Sequence, residues 1–155
     1  MSPREPDQLV RLCLNLEVEV GKPIDVGATP GATRRFIPLI GGTFTGEAEG
    51  EVLAGGADWQ TVRPDGTLEI AAHYLLKTRA GGLIEVSSIG IRHASAEVLE
   101  RAARGETLTR DDYYFRTHIT LRTAAPELAA WNNRLYYSIG ERKKSRVCLA
   151  VYEIL

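Results

Sequence analysis

Four side chains in the middle of the chain have the residue types that acid–base chemistry on a carbonyl compound requires. Asp58 and Glu85 are carboxylates, and either is a candidate general base. Tyr74 and Arg116 are candidate donors to a developing enolate or to a substrate carboxylate. These four residues favour a lyase, isomerase or cyclase that needs no cofactor, provided that the fold turns all of them into one cavity.

A second set of residues is a candidate for ligand binding. Trp59 directly follows Asp58, and one face of a predicted strand carries Tyr114, Arg116 and His118. In one interpretation Tyr114 and Arg116 turn into a barrel lumen, and Glu85 is the partner of Arg116. In the other, Trp59 is a core residue, Asp58 caps a turn and this strand face is exposed to water.

The elements that position these residues are strands, because apolar residues alternate with polar ones along most of the chain. From Val10 to Val20 every even position is Val or Leu, which predicts a strand with one buried face. Short turns, such as Pro64-Asp65-Gly66, separate the further strand-like runs. These runs are 33–40, 43–53, 59–63, 67–78, 83–92, 113–123, 135–139 and 146–154.

This pattern predicts an all-β antiparallel fold, a closed or nearly closed barrel of about eight to ten strands. A two-sheet β-sandwich is the alternative, because alternation alone does not separate the two architectures. One short helix is expected between Ser95 and Gly105, packed across a barrel mouth or flank, and a helical turn at 126–131. Residues 1–155 are expected to form one domain, with 1–8 as a loose tail.

Composition and spacing argue against several classes of function. The net charge of −1 argues against nucleic-acid binding, and no apolar run is long enough to span a bilayer, so a cytoplasmic location is expected. The histidines show no metal-site spacing, and no motif indicates a cofactor. Cys13 and Cys148 would be neighbours only if the first and last strands pair, and a disulfide is not favoured.

Several sequence motifs resemble those of one bacterial and fungal family, domain of unknown function 3237, also called uncharacterised protein family 0311. They are PLIGGTFTG at 38–46, GGADW at 55–59, PDGT at 64–67, Tyr74, YFRT at 114–117 and the closing segment 140–152. The resemblance implies a small antiparallel barrel with a central cavity, sometimes assembled into oligomers, and no settled reaction. It marks as hallmarks Gly56, Asp58, Trp59, Asp65, Tyr74 and Arg116.

Two departures from the family pattern concern ligand preference. His73 stands where relatives often have arginine, and Ile119-Thr120 stands where they tend to have an aromatic–acidic pair. If these positions contact the ligand, the resemblance implies that this protein prefers a different one.

Three functions are compatible with the sequence. The first is binding of a small, partly apolar or aromatic/acidic metabolite in the barrel cavity. The second is the cofactor-independent enzyme described above. The third is a protein-interaction module that uses strand edges or the basic run at 142–146. A homodimer is compatible with the amount of apolar strand surface.

Overall fold

The computed structural model of the protein describes residues 2, 3, 5, 6 and 9–155. The predicted tail at 1–8 includes Met1, Arg4, Asp7 and Gln8, which lie outside the described residues. The strands of the described part are β1 (Val10–Val20), β2 (Ile24–Thr29), β3 (Ala32–Gly46), β4 (Gly50–Val52), β5 (Gly56–Val62), β6 (Leu68–Thr78), β7 (Leu83–His93), β8 (Tyr114–Thr123), β9 (Leu135–Arg142) and β10 (Arg146–Ile154).

Eight antiparallel strands close into a barrel. The circuit runs β1, β3, β5, β6, β7, β8, β9 and β10, and it closes because β1 pairs with β10 on one side and with β3 on the other. The two extra strands are β2, which pairs with β3 at the sheet edge, and β4, which lies between β3 and β6. The predicted barrel is confirmed and the sandwich alternative is wrong.

The first strand has the predicted bounds but not the predicted faces throughout. Leu14, Leu16 and Val18 are buried, as the alternation indicates. Leu12 is exposed and Cys13 is buried instead, because a bulge between Leu12 and Leu14 shifts the pairing with β10. One extra residue in a strand exchanges its inner and outer faces beyond that point.

The two cysteines are free and lie apart, although the first and last strands do pair. Cys148 stands opposite Glu17, which is four residues further along β1 than Cys13. Four residues of strand span about 13 Å, too far for a disulfide.

The glycine pair 41–42 does not separate two strands, as the sequence suggested, but lies inside the continuous strand β3. The backbone of β1 passes so close that a Cβ atom on Gly42 would stand 2.0 Å from the carbonyl oxygen of Glu17. Gly42 also has a φ of +133°, which residues with a side chain rarely adopt. Glycine therefore allows β3 to change partners here, from β2 and β5 in its first half to β1 and β4 in its second.

A 3-10 helix (Pro126–Asn133) covers one end of the barrel, where the sequence predicted a helical turn. Its Leu128 and Trp131 are buried in the core, and the indole N–H of Trp131 donates to Glu47 at 3.4 Å. The lumen described below lies towards the other end, among the last residues of β1, β7 and β9.

The predicted helix is present as α1 (Ala96–Ala103), and the Ser95 hydroxyl accepts a hydrogen bond from the Val98 N–H at its start. The expectation that it packs its apolar residues across the barrel is wrong. None of its residues is fully buried, and Leu99 is half exposed, while Val98 and Arg101 are only partly buried. Among the described residues no helix is long and apolar enough to cross a membrane.

Candidate functional site

The barrel encloses a lumen of about 80 Å³, which is room for several water molecules or one small ligand. One part of its wall is apolar, formed mainly by inward residues of β1, β3, β6, β8 and β10. Polar side chains form the other part, and most of them belong to β3, β5, β6, β7 and β9. The polar lining residues are Arg35, Asp58, Gln60, Tyr74, Ser88, Arg92, Thr117 and Arg142.

Asp58 faces the lumen because it alternates with Trp59 on β5, and its carboxylate is held by two donors. The Ala71 N–H donates to one oxygen at 3.0 Å and the Gln60 amide donates to the other at 2.8 Å. Ladder pairing between β5 and β6 is interrupted between Asp58 and Thr61, so the carboxylate supplies the acceptor that Ala71 would otherwise lack. Burial raises the pKa of Asp58, and the two hydrogen bonds oppose that rise.

Three arginines give the lumen an excess of positive charge. Arg35 donates through two of its nitrogens to the Gln60 carbonyl oxygen, at 2.6 and 3.2 Å. Arg142 donates to the carbonyls of Lys143 and Arg146 in the β9–β10 turn. Arg92 has no hydrogen-bond acceptor and no ion pair among the described residues; its guanidinium carbon lies 6.0 Å from the centre of the Phe115 ring.

The surroundings of Arg92 and Arg142 disfavour the charge of both side chains. Burial lowers its pKa, and the positive charge of Arg142 lowers it further. Burial lowers the pKa of Arg142 as well, with a second contribution from Arg35. Guanidinium groups remain charged at neutral pH even so. The positive charges of Arg35, Arg92 and Arg142 therefore repel one another in the folded protein, and an anion bound in the lumen would reduce this repulsion.

Tyr74 is the second polar side chain of the lumen that lacks a hydrogen-bond partner among the described residues. Its side chain points inward from β6 and its hydroxyl is buried with no hydrogen-bond partner among the described residues. Burial raises the pKa of Tyr74, and the charge of Asp58 adds to the rise, so the phenol stays protonated at neutral pH. Gly56 packs against it, since a Cβ atom on Gly56 would stand 2.4 Å from the Tyr74 Cβ atom.

A row of buried hydroxyls crosses the wall on the β7–β9 side. Ser88 donates to Thr117 at 2.8 Å, and Thr117 and Ser138 share a hydrogen bond of 2.5 Å. Ser88 and Thr117 line the lumen. Because these groups bond to one another, they are satisfied without a ligand.

Of the residues proposed from the sequence as site residues, the fold brings Asp58 and Tyr74 together in the lumen. Glu85 and His73 lie on the outside of neighbouring strands, where they pair with each other at 2.6 Å. Trp59 is 48% exposed and meets Phe36 edge to face. The expectation that Trp59 is a core residue is therefore wrong as well.

The expectation that Tyr114 and Arg116 turn into the lumen is wrong. The inner face of β8 is the other one, formed by Phe115, Thr117, Ile119 and Leu121. Arg116 lies over the Tyr114 ring outside, with 5.2 Å between guanidinium carbon and ring centre, and His118 is also exposed. Glu85 is not the partner of Arg116, because it stands opposite Arg122.

Three arginines and one glutamine of the lumen were missed by the sequence analysis. Strand alternation carries a signal for them, since Arg92 has the parity of buried Ile84, Val86 and Ser88 on β7. Arg142 likewise has the parity of Tyr136 and Ser138 on β9. Charged residues at strand ends are usually exposed to solvent, so the alternation alone did not predict that these arginines face the lumen.

The chain matches along nearly its whole length a family model described as Protein of unknown function (DUF3237), over residues 10–154. The chain belongs to this family. A UPF0311 protein of Clostridium acetobutylicum is 35% identical over 142 residues, which cover 90% of each chain. The resemblance inferred from the motifs is therefore confirmed.

Solved structures of DUF3237-like proteins share the barrel. A conserved protein of unknown function from Rhodopseudomonas palustris superposes with a TM-score of 0.87 at 30% identity, over the whole of both chains. A protein from Acinetobacter baumannii, described as β-barrel-like, superposes with a TM-score of 0.82 at 30% identity, again over the whole of both chains. The family thus has a known fold, and any activity has to be argued from the lumen.

Proposed function

We propose that the lumen binds a small, partly apolar organic anion, such as a carboxylate. The observation that carries the proposal is the guanidinium of Arg92, which faces the cavity without an acceptor while Arg35 and Arg142 add positive charge beside it. One carboxylate, Asp58, faces three arginines. All three arginines are only partly buried, and a partly buried guanidinium binds carboxylates strongly, so an anionic ligand is the partner that we propose for Arg92.

The apolar part of the wall supports the partly apolar character of the ligand. Its side chains come from strands on several sides of the barrel, so they can surround a hydrocarbon or aromatic group. They are Val18, Ile37, Leu39, Ile70, Phe115 and Leu149. A purely inorganic anion would leave this surface without a partner.

We expect the Arg92→Met variant to bind benzoate at least about tenfold more weakly than the wild-type protein, because it loses a charge-assisted hydrogen bond. Isothermal titration of purified, ligand-free protein measures the dissociation constant. Benzamide, the neutral analogue of similar shape, is expected to bind weakly to both proteins.

The Arg116→Met variant is the matched control, because it removes an arginine of the same barrel from its outer surface. Its affinity for benzoate should stay within about twofold of the wild-type value, since a charge on the outer face of the barrel is separated from the lumen by the wall and screened by solvent. Equal losses in the two variants would show that benzoate responds to net charge and not to the lumen, and would overturn the proposal.

A second candidate function is cofactor-independent acid–base catalysis in the same lumen, favoured by the presence of Asp58 and Tyr74 there. Asp58 would be the base and Tyr74 the proton donor to an enolate oxygen. Glu85 and Arg116 do not belong to this version, because both lie outside the barrel. The carboxylate oxygens already accept hydrogen bonds from Ala71 and Gln60, which gives Asp58 a structural role in the apo barrel and ranks this function second.

Proton exchange next to a carbonyl group tests the second candidate directly. If Asp58 is a base, the wild-type protein should accelerate deuterium uptake from heavy water by phenylpyruvate, followed by proton NMR. Asp58→Asn should abolish that acceleration, and Glu85→Gln should retain it. Uptake at the rate of buffer alone would eliminate the enzyme interpretation for this substrate class.

A further inference from the structure

We infer that the ligand of the lumen is a bifunctional acid, with an anionic group for the arginines and a hydroxyl or carbonyl oxygen that accepts a hydrogen bond from Tyr74. This inference rests on the proposed function and narrows it to hydroxy- or oxo-substituted organic acids. It depends on two groups, at different depths of one cavity, that have no side-chain partner among the residues that the structure describes.

The first step concerns the Tyr74 hydroxyl. The Tyr74 side chain lines the lumen, and its hydroxyl is buried with no hydrogen-bond partner among the described residues. A buried hydroxyl without a partner destabilises the folded state, and phenylalanine would fill the same space without that cost. The neutral phenol has one proton to donate, so its missing partner is an oxygen or nitrogen acceptor.

The second step concerns the relative positions of Tyr74 and Arg92. Tyr74 stands opposite Val86 in the β6–β7 ladder, and Val86 is six residues before Arg92 on β7. Their backbones are therefore about 20 Å apart along the strands, and the two long side chains converge on the cavity between them. A ligand with a single carboxylate, bound at Arg92, would leave the Tyr74 hydroxyl without a hydrogen-bond acceptor. One ligand can bind both residues only if it carries a second oxygen-containing group.

The third step concerns Asp58, which lies between these two groups. It stands opposite Ala72, two residues from Tyr74, and its charge acts on both Tyr74 and Arg92. A ligand hydroxyl next to Tyr74 can accept from the phenol and donate to the Asp58 carboxylate. A ligand carbonyl can do only the first, so the arrangement favours a hydroxy acid over an oxo acid.

Three probes of one shape test this inference: benzoate, 4-hydroxybenzoate and 4-methylbenzoate. The hydroxyl and methyl compounds have the same number of heavy atoms, so their difference isolates the hydrogen bond. We expect wild-type protein to bind 4-hydroxybenzoate about tenfold more tightly than the methyl analogue. In Tyr74→Phe this preference should fall below about threefold, because the variant lacks the phenol proton that the hydroxyl of the probe accepts.

Tyr136→Phe is the matched control. The Tyr136 hydroxyl is also buried without a partner among the described residues, but it does not line the lumen. This variant should keep the full preference for the hydroxyl probe. Both variants should unfold at the same or a higher temperature than the wild-type protein, which separates a ligand effect from a folding defect.

The outcomes separate the two proposals. Suppose that benzoate binding depends on Arg92. If the wild-type protein then shows no preference for the hydroxyl probe, or Tyr74→Phe leaves that preference unchanged, this inference is overturned and the proposed function stands. If none of the probes binds, or if Arg92→Met has no effect, the proposed function fails and the inference fails with it. A reduced preference in Tyr136→Phe of the same size would also overturn it.

Discussion

Gly42→Ala is expected to lower the free energy of unfolding by about 4 kcal/mol or more, or to prevent folding altogether. The new Cβ atom would stand 2.0 Å from the Glu17 carbonyl oxygen and 3.1 Å from the Val18 Cα atom, so β1 and β3 would have to separate. Overpacking of this kind costs ~1–3 kcal/mol and a strained φ adds ~1–3 kcal/mol. The pairing of β1 with β3 closes the barrel, so neither strand can move away from the new methyl group without breaking its pairing with the other neighbouring strands.

Urea-induced unfolding measures this loss, and Gly81→Ala is the control. Gly81 has a φ of +95°, but a Cβ atom placed on it would meet nothing within 4 Å. Its substitution should therefore show the backbone strain alone, about 1 kcal/mol. If both variants lose the same amount, the close approach of β1 and β3 does not determine stability, and the explanation given for Gly42 is wrong.

Asp58→Ala is expected to destabilise the protein by about 2–3 kcal/mol, even though it removes a buried acid. The Ala71 N–H would lose its acceptor at an interruption of the β5–β6 ladder, and the Gln60 amide would lose its own. Each unsatisfied buried donor costs ~1–3 kcal/mol, and relief of the buried charge offsets part of the sum. Thermal and urea unfolding at neutral pH measure the change.

The dependence of this loss on pH identifies its source. Burial holds the folded-state pKa of Asp58 above 3.8, its ordinary value. Between pH 3.8 and the folded-state pKa, Asp58 loses its proton in the unfolded chain but keeps it in the folded protein. The free energy of unfolding of the wild-type protein therefore falls as the pH rises through this window, and then levels off. Asp58→Ala lacks this fall, so the difference between the two proteins should be larger below the window than above it.

Asp25→Ala is the control for Asp58→Ala. Asp25 accepts a hydrogen bond from the Gly27 N–H at 2.8 Å on the exposed edge strand β2. Its loss should cost about 0.5 kcal/mol or less, because water replaces the carboxylate there. A cost at Asp58 no larger than the cost at Asp25 would contradict the structural role assigned to the buried carboxylate.

Alternation predicted the strands well wherever one strand face is buried. β1 and β10 have the predicted bounds, and β6, β7 and β8 differ from the prediction by one residue at one end. Edge strand β2 was not predicted, because nearly all of its residues are exposed and no apolar face marks it. Gly41-Gly42 were interpreted as a break, although a close backbone approach within one strand also requires glycine.

The candidate site was predicted only in part, because alternation separates two faces without saying which one is inside. On β8 the inner face is the mainly apolar one, and Arg116 was proposed for the lumen from its residue type although it lies on the polar face, which is the outer one. On β7 the same ambiguity concealed Arg92. Tyr74 shares the buried face of β6 with Ile70 and Leu76, as alternation indicates, whereas Asp58 lies inside on β5 although its apolar neighbour Trp59 lies outside.

By itself the sequence determined the antiparallel all-β class, the family, the short helix after Ser95 and most strand positions, since each follows from contacts between residues near in sequence or from a motif. The tertiary structure alone decided which charged residues meet. Arg35, Arg92 and Arg142 come from three strands far apart in sequence and converge only when β1 pairs with both β3 and β10. The proposed binding site therefore forms only when the barrel closes. A local sequence pattern does not indicate which side chains from distant strands point into the same lumen.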